Sequence, residues 1–234
     1  MTVNPFEPPV THDIDGRPGA QPTGIYEPQR GRVTLLTVML GGMVVLSIAG
    51  AISTYMEMDL LERASAGLVD EAEANANDSR QVLLGSLTVI VYLSTAVVFS
   101  MFLHRANKNA RALSPETMFS FTPGWTVGWF FVPIASLWKP YQAVRELWEK
   151  SRPVLPGIMG AWWGFWITDN VLNQIAYRMA DENATITELH NVDKVMMAAD
   201  VVGVVSAVLA IAVVRSIHAS QQEHHETGKP QMLM

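Results

Sequence analysis

The chain has 234 residues, of which 49% are hydrophobic and only 16% are charged, and its formal net charge is −6. Because soluble domains are about a quarter charged, this composition indicates long uncharged segments that cross a membrane. The sequence contains no cysteine, which excludes disulfides, thiolate metal sites and cysteine nucleophiles. We therefore expect an integral membrane protein, and we expect no cofactor and no metal site.

The N-terminal part of the chain changes character twice. Residues 1–32 hold six of the 13 prolines and show almost no apolar periodicity, so they predict a disordered, Pro-rich cytoplasmic tail. Residues 33–53 form the first uncharged run, which predicts a transmembrane helix that also serves as an uncleaved insertion signal. Residues 57–80 are rich in Asp and Glu and predict a solvated helical loop.

Three further apolar runs predict the remaining transmembrane helices, at residues 82–103, 154–177 and 195–214. A short polar cytoplasmic tail follows at 218–234, so the membrane domain covers residues 33–217. Small residues line the last two spans. The set consists of Gly160, Gly164, Ala199, Gly203 and Ala207. Such residues let two helix backbones approach closely, so we expect these two spans to pack through them.

The stretch 121–148, FTPGWTVGWFFVPIASLWKPYQAVRELW, contains four of the seven tryptophans. Thr122 and Pro123 suit a helix start, and Pro133 should bend or end that helix. The uncharged part, residues 124–138, would be about 22 Å long as a helix, against about 30 Å for the hydrocarbon core. It is too short to span comfortably, so residues 121–150 predict a re-entrant or interfacial element.

A second helix of this element is predicted to begin at Lys139 and Pro140 and to lie in the membrane interface. Its apolar face carries Tyr141, Val144 and Trp148. Glu146 and Lys150 have the spacing and order of a favourable i, i+4 ion pair.

The fold class that follows is all-α integral membrane, with four transmembrane helices plus a Trp/Pro-rich re-entrant or interfacial helical element between spans 2 and 3. If that element returns to its starting side, the N- and C-termini are cytoplasmic and 12 of the 16 Lys and Arg residues lie inside. If it crosses instead, the bases between residues 139 and 152 move outside and the asymmetry shrinks. The positive-inside rule therefore favours four spans.

Residues of the central element are candidates for binding lipid or a protein partner. They are Trp125, Trp129, Pro133, Trp138, Tyr141, Arg145 and Trp148. Arg145, next to interfacial aromatic residues, is suited to contact anionic lipid headgroups. The alternative is that the tryptophans are plain interfacial anchors.

Two carboxylates lie inside predicted spans, Asp169 in the third and Asp200 in the fourth. Charged groups at such depth are costly, so they are candidates for function. Both lie at a similar depth and Asn173 shares the face of Asp169, which predicts one pocket that binds a proton or a cation. The alternative is that each Asp hydrogen-bonds a neighbouring helix or sits in wet interface.

No catalytic motif is present in the sequence: it has no HExxH, GxSxG, Walker or CxxC pattern. Nucleic-acid binding has no support, because the cytoplasmic bases are those that topology requires. Two interpretations remain in front, a non-enzymatic membrane scaffold or regulatory module and a small proton- or cation-coupled transporter or channel subunit. A lipid-acting enzyme is the weakest alternative. The expected partners are membrane lipid, a second copy of the chain or another membrane protein.

The central stretch resembles the signature of an uncharacterised bacterial multi-pass membrane family, domain of unknown function 4328. That family shares a pattern like PGW-x-x-G-W-x-F-x-P-I-x-x-L-W-x-P-Y-Q-A-x-x-E-L-W, which this chain follows from Pro123 to Trp148. The family often has Asn where this chain has Ser136. The resemblance covers roughly residues 33–217 and implies a bacterial plasma-membrane protein, without an activity.

Overall fold

The computed structural model describes residues 24–151, 157–180 and 184–228. These residues form α-helices and short 3₁₀ turns, with no β-strand among them. The α-helices are α1 (Arg30–Ser65), α2 (Glu71–Leu113), α3 (Pro123–Gly128), α4 (Lys139–Ser151), α5 (Ile158–Met179) and α6 (Ile186–Thr227). The 3₁₀ turns are Trp129–Phe131 and Ala135–Leu137. The expected all-helical class is confirmed.

Three of these helices, α1, α2 and α6, are long and apolar enough to cross a membrane. In their most apolar windows only 11%, 6% and 28% of the residues are buried, so most of these apolar side chains face outward. Such surfaces require an apolar environment. Helix α5 has 22 residues, or about 33 Å. Among the described helices, however, only α1, α2 and α6 are both long and apolar enough to cross a membrane.

The helices extend well beyond the predicted spans. Within the predicted solvated helical loop at residues 57–80, α1 continues to Ser65 and α2 starts at Glu71, in agreement with its predicted helical character. Asp70 caps α2, because its side chain accepts a hydrogen bond of 2.8 Å from the backbone N–H of Glu73. Buried polar groups join the two extensions, since the Arg80 Nε donates to Ser53 Oγ at 2.9 Å. These contacts make the region part of the helical bundle.

At both ends of the described chain, helices extend into the predicted tails. The last residues of the predicted N-terminal tail, 30–32, belong to α1, and Glu27 is fixed to α2. The backbone N–H of Glu27 donates to Asn109 Oδ1 at 3.1 Å, and Asn109 Nδ2 donates back to the Glu27 carbonyl at 2.8 Å. At the other terminus α6 continues through residues 218–227. Residues 1–23 and 229–234 lie outside the described residues.

The same end of the bundle gathers the N-terminal segment, the last turns of α2 and α6, and helix α4. We refer to it as the terminal end. Gln221 joins α6 to two other elements there, because its Nε2 donates to the Ala106 carbonyl at 2.9 Å and to Ser151 Oγ at 3.0 Å. The largest buried side chains of the core lie close by. They include Leu36, Phe102, Leu103, Leu147 and Ile217.

Helices α5 and α6 pack together, but not through the predicted GxxxG pair. A Cβ at Gly164 would meet nothing within 4 Å, and one at Gly160 would meet only the Tyr141 hydroxyl at 3.9 Å. Gly203, by contrast, lies against the Asp169 carboxylate. Helix α5 begins at Ile158, and residues 154–156 of the predicted span lie outside the described residues. Gly157, with φ of +86°, occupies a left-handed conformation that favours glycine and precedes the first helical turn.

Candidate functional site

The central element begins with the helix start that the sequence predicts. The Thr122 side chain accepts a hydrogen bond of 3.3 Å from the backbone N–H of Trp125, and Pro123 occupies the first turn. Thr126 in this turn is fully buried, and its hydroxyl accepts a hydrogen bond of 2.9 Å from Asn107 Nδ2 on α2. The short helix α3 is therefore fixed to α2 by polar contacts.

Between α3 and α4 the backbone makes a tight turn. Ile134 has φ of +63°, which is a costly conformation for a β-branched residue. The N–H of Ala135 donates to the Pro133 carbonyl at 2.7 Å, so Ile134 is the centre of a γ-turn. This turn follows Pro133, which has no N–H to continue a helix. It reverses the chain and aims the Ile134 side chain outward, where it is 74% exposed.

An exposed apolar ridge covers the outside of this element. Its members are Trp125, Phe131, Ile134, Leu137 and Trp138, which are 51%, 75%, 74%, 55% and 45% exposed. Beneath the ridge Trp129 packs on Trp125, with ring centroids 4.7 Å apart. The Lys139 Nζ lies 5.8 Å from the centroids of both Phe121 and Trp129, which is within cation–π range. The ridge is thus an apolar surface on a well-fixed support.

The remaining binding candidates of this element lie in different surroundings. Trp148 is 6% exposed and belongs to the core, together with Val144. The apolar face of α4 therefore packs on the helical bundle, whereas the sequence predicted that it faces the membrane interface. Tyr141 contacts Trp163 of α5, with centroids 5.9 Å apart. Pro133 is exposed between the ridge residues.

Arg145 forms an ion pair within its own helix. Its Nε donates to Glu149 Oε1 at 2.7 Å, and both side chains are 57% exposed. The hydrogen bond that Arg145 donates to Glu149 raises the pKa of Arg145 above its usual value. The predicted pair of Glu146 and Lys150 does not form. Glu146 instead accepts hydrogen bonds from the backbone N–H groups of Ser120 at 2.6 Å and Phe121 at 3.1 Å.

The aspartates of the third and fourth predicted spans come together with small residues from three helices. Asp169 of α5 lies against Gly203 of α6 and near Ser47 of α1, since a Cβ on Gly203 would be 3.3 Å from Asp169 Oδ1 and 3.4 Å from Ser47 Oγ. Asp200 of α6 lies against Gly50 of α1. Ser47 and Gly50 lie about one helical turn apart on α1, so the two carboxylates lie at a similar level of the helical bundle.

Asn173 is placed as expected, on the face of α5 that carries Asp169. Its Nδ2 donates to Asp169 Oδ1 at 3.0 Å and to the Asp169 carbonyl at 2.9 Å. No group of three or more metal-binding side chains is present in the residues that the structure describes. The arrangement of the aspartates suits sharing a proton or holding one cation with the help of neutral oxygen ligands.

Sequence reasoning missed several residues that build these sites. Asn107 and Asn109 are buried on α2 beyond its predicted span, and each fixes another segment of chain. In the sequence both stand among basic residues that follow a predicted span, which is typical of a solvated helix end. The signal that was available is their amide chemistry, because a buried Asn provides both a donor and an acceptor for backbone groups.

The comparisons with known proteins support this description. The family model for a domain of unknown function, DUF4328, matches residues 65–219, which include the central element and both aspartates. The match starts at the last residue of α1, and therefore leaves the whole first predicted span, residues 33–53, outside it. No curated protein and no solved structure has a detectable match to the chain. Since the family model covers well over half of the sequence, the chain belongs to the DUF4328 family.

Proposed function

We propose that this protein is a multi-pass protein of a bacterial plasma membrane, with α1, α2, α5 and α6 as transmembrane helices and both termini in the cytoplasm. The positive-inside count supports this orientation. The contacts at the terminal end support a central element that returns to its starting side, because Ser151 at the end of α4 accepts a hydrogen bond from Gln221 near the end of α6.

We infer that the protein acts as a non-enzymatic scaffold or regulatory module that binds membrane lipid or a protein partner through the 121–148 element. The observation that carries this function is the exposed apolar ridge, in which Phe131 and Ile134 are 75% and 74% exposed on a fixed support. Contiguous exposed apolar surface of this kind marks a membrane or partner contact. A membrane or a protein surface that covers the ridge would remove it from water.

The ridge is tested with nitroxide labels, because the chain contains no cysteine and each label site is unique. Labels at Ile134 and Trp138 in purified protein in bilayer nanodiscs should be accessible to oxygen and shielded from a polar nickel quencher. A label at Gln142, which is exposed on α4, is the matched polar control. Accessibility to the nickel reagent at Ile134 equal to that at Gln142 would contradict lipid binding by the ridge and would leave only a protein partner.

A second candidate function is favoured by the aspartate cluster. A small proton- or cation-coupled transporter or channel subunit would use Asp169 and Asp200, with Asn173 as a neutral ligand. The observation in its favour is that glycines at positions 50 and 203 leave room for both carboxylates between three helices. A bundle of this size would need to assemble with a second copy of the chain or another membrane protein to form a complete path.

A further inference from the structure

Basic residues at the terminal end of α2 line two neighbouring pockets. The first pocket, of about 480 Å³, lies between the N-terminal segment, α2 and the residues that precede α3. Its basic wall consists of Arg105, Lys108 and Arg111, which recur every three residues along α2. Glu27 is the one acidic residue of this lining. The pocket therefore carries a positive excess.

The second pocket, of about 450 Å³, lies on the other side of Arg105. Arg32, His104 and Arg105 line one part of it, and Met101 and Val127 line another. Met101 belongs to the predicted span at 82–103, whereas Arg105 follows that span. The pocket thus runs from an apolar wall to a cationic wall, and no acidic residue is among the described residues that line it.

Arg105 connects the two pockets and is incompletely satisfied. Its side chain is 14% exposed and forms an ion pair with the Glu27 carboxylate. Its Nε is buried and has no hydrogen-bond partner among the described residues. A buried guanidinium with an unused donor costs free energy unless an acceptor is supplied. A phosphate matches that need, because guanidinium groups bind phosphate oxygens through paired hydrogen bonds.

We propose that Arg105, with Arg32 and Lys108, binds the phosphate of an anionic glycerophospholipid whose acyl chain lies along Met101 and Val127. The apolar wall favours a lipid over free phosphate, because an acyl chain buries surface that free phosphate leaves exposed to water. In the absence of lipid, the Glu27 carboxylate pairs with one side of the Arg105 guanidinium. This inference rests on the proposed function in that it gives the ligand class of the lipid contact, but it uses residues outside the exposed ridge.

The test compares lipid binding by full-length protein in neutral detergent, measured by native mass spectrometry with added phosphatidylglycerol or phosphatidylcholine. Wild type should bind phosphatidylglycerol about tenfold more tightly, a ratio expected for one charge-assisted contact. Arg105→Gln and Lys108→Gln should each remove most of that preference. Lys108 is exposed, so its substitution leaves the fold intact even where Arg105→Gln destabilises the protein. Arg178→Gln, at an exposed position of α5, is the matched control and should keep the preference.

Equal binding of the two lipids by wild type would overturn the proposal, as would an equal loss in the Arg178→Gln control. A further arm adds inorganic phosphate as competitor. Weak competition is expected, whereas complete displacement of phosphatidylglycerol by an equal concentration of phosphate would overturn the acyl-chain part. The ridge is tested separately by its spin labels. If the ridge labels face lipid but wild type shows no preference for phosphatidylglycerol, the inference about Arg105 fails and the ridge function stands. If the preference is present but the ridge labels are exposed to water, lipid binding by the ridge fails and the Arg105 site stands.

Discussion

The carboxylate of Asp200 on α6 lies directly against Gly50 on α1. A Cβ at position 50 would approach Asp200 Oδ2 to 2.9 Å, closer than real Cβ atoms come, and Oδ1 to 3.1 Å, which is tighter than most Cβ contacts. The absence of a side chain at Gly50 is therefore what allows a carboxylate to reach the contact between α1 and α6. The same relationship, at 3.3 Å, holds between Gly203 and Asp169.

We expect Gly50→Ala to lower thermal stability, because the added methyl must displace the Asp200 carboxylate. The destabilisation should be about 1–3 kcal/mol, the usual cost of overpacking. Gly42→Ala on the same helix is the control, since a Cβ there meets nothing within 4 Å. That change should be neutral or stabilising by up to about 1 kcal/mol, because Ala favours helix over Gly. Thermal unfolding in detergent distinguishes the two, and similar midpoints would contradict the close contact.

Replacing the aspartates tests the second candidate function. Asp169→Asn and Asp200→Asn keep side-chain size and remove the ionisable group, so proton- or cation-coupled flux into proteoliposomes should fall at least about tenfold in each variant. Asp78→Asn, at an exposed position outside the predicted spans, should retain the wild-type flux. A measurable flux that is indifferent to both substitutions would rule out Asp169 and Asp200 as its site and leave them as packing residues.

Removal of Glu146 should loosen the chain before α3. Glu146→Ala leaves the N–H groups of Ser120 and Phe121 without their carboxylate acceptor, which should cost about 1–3 kcal/mol. Hydrogen exchange at these two amides should accelerate in the variant. Glu149→Ala is the matched control, because its exposed pair with Arg145 should contribute less than about 1 kcal/mol. Unchanged exchange at Ser120 and Phe121 in Glu146→Ala would contradict the assigned hydrogen bonds.

Asn107 should be among the polar residues most sensitive to substitution. It is fully buried, donates to Thr126 Oγ1 at 2.9 Å and accepts from Arg111 Nε at 2.9 Å. Asn107→Ala removes both bonds and leaves buried partners unsatisfied, so the loss of unfolding free energy should be about 2–4 kcal/mol. Asn75→Ala at an exposed position of the same helix should lie within about 0.5 kcal/mol of wild type. Equal stability of the two variants would argue against α3 being fixed through Asn107.

Local chemistry made much of the helical structure predictable. The helix start at Thr122 and Pro123, the break at Pro133 and the new start at Lys139 each depend on neighbouring residues alone, and all three occur in the structure. The shared depth of Asp169 and Asp200 was predictable because two spans joined by a short loop keep a fixed register.

Partner choice was not predictable from spacing. Glu146 has the spacing for an ion pair with Lys150, but it caps a backbone segment 25 residues away in sequence. Gly160 and Gly164 have a packing pattern, yet the glycines that lie against carboxylates are Gly50, which was not predicted, and Gly203 of the predicted small-residue set. The apolar face of α4 has the pattern of an interfacial helix, and the same pattern also serves a helix that packs on a bundle. Such outcomes depend on tertiary contacts between distant segments.

The measurement that tests the account most directly is the accessibility of a single cysteine at Gln142, which is exposed on α4. The four-span arrangement has α4 on the cytoplasmic side with both termini. A cysteine at Gln142→Cys should therefore react with a membrane-impermeant thiol reagent only after the cells are lysed. Glu226→Cys near the end of α6 should behave in the same way, while Ser65→Cys at the end of α1 should react from outside. Reaction of both Gln142→Cys and Glu226→Cys in intact cells, with Lys108→Cys near the end of α2 still protected, would mean that the central element crosses the membrane and would contradict the four-helix arrangement.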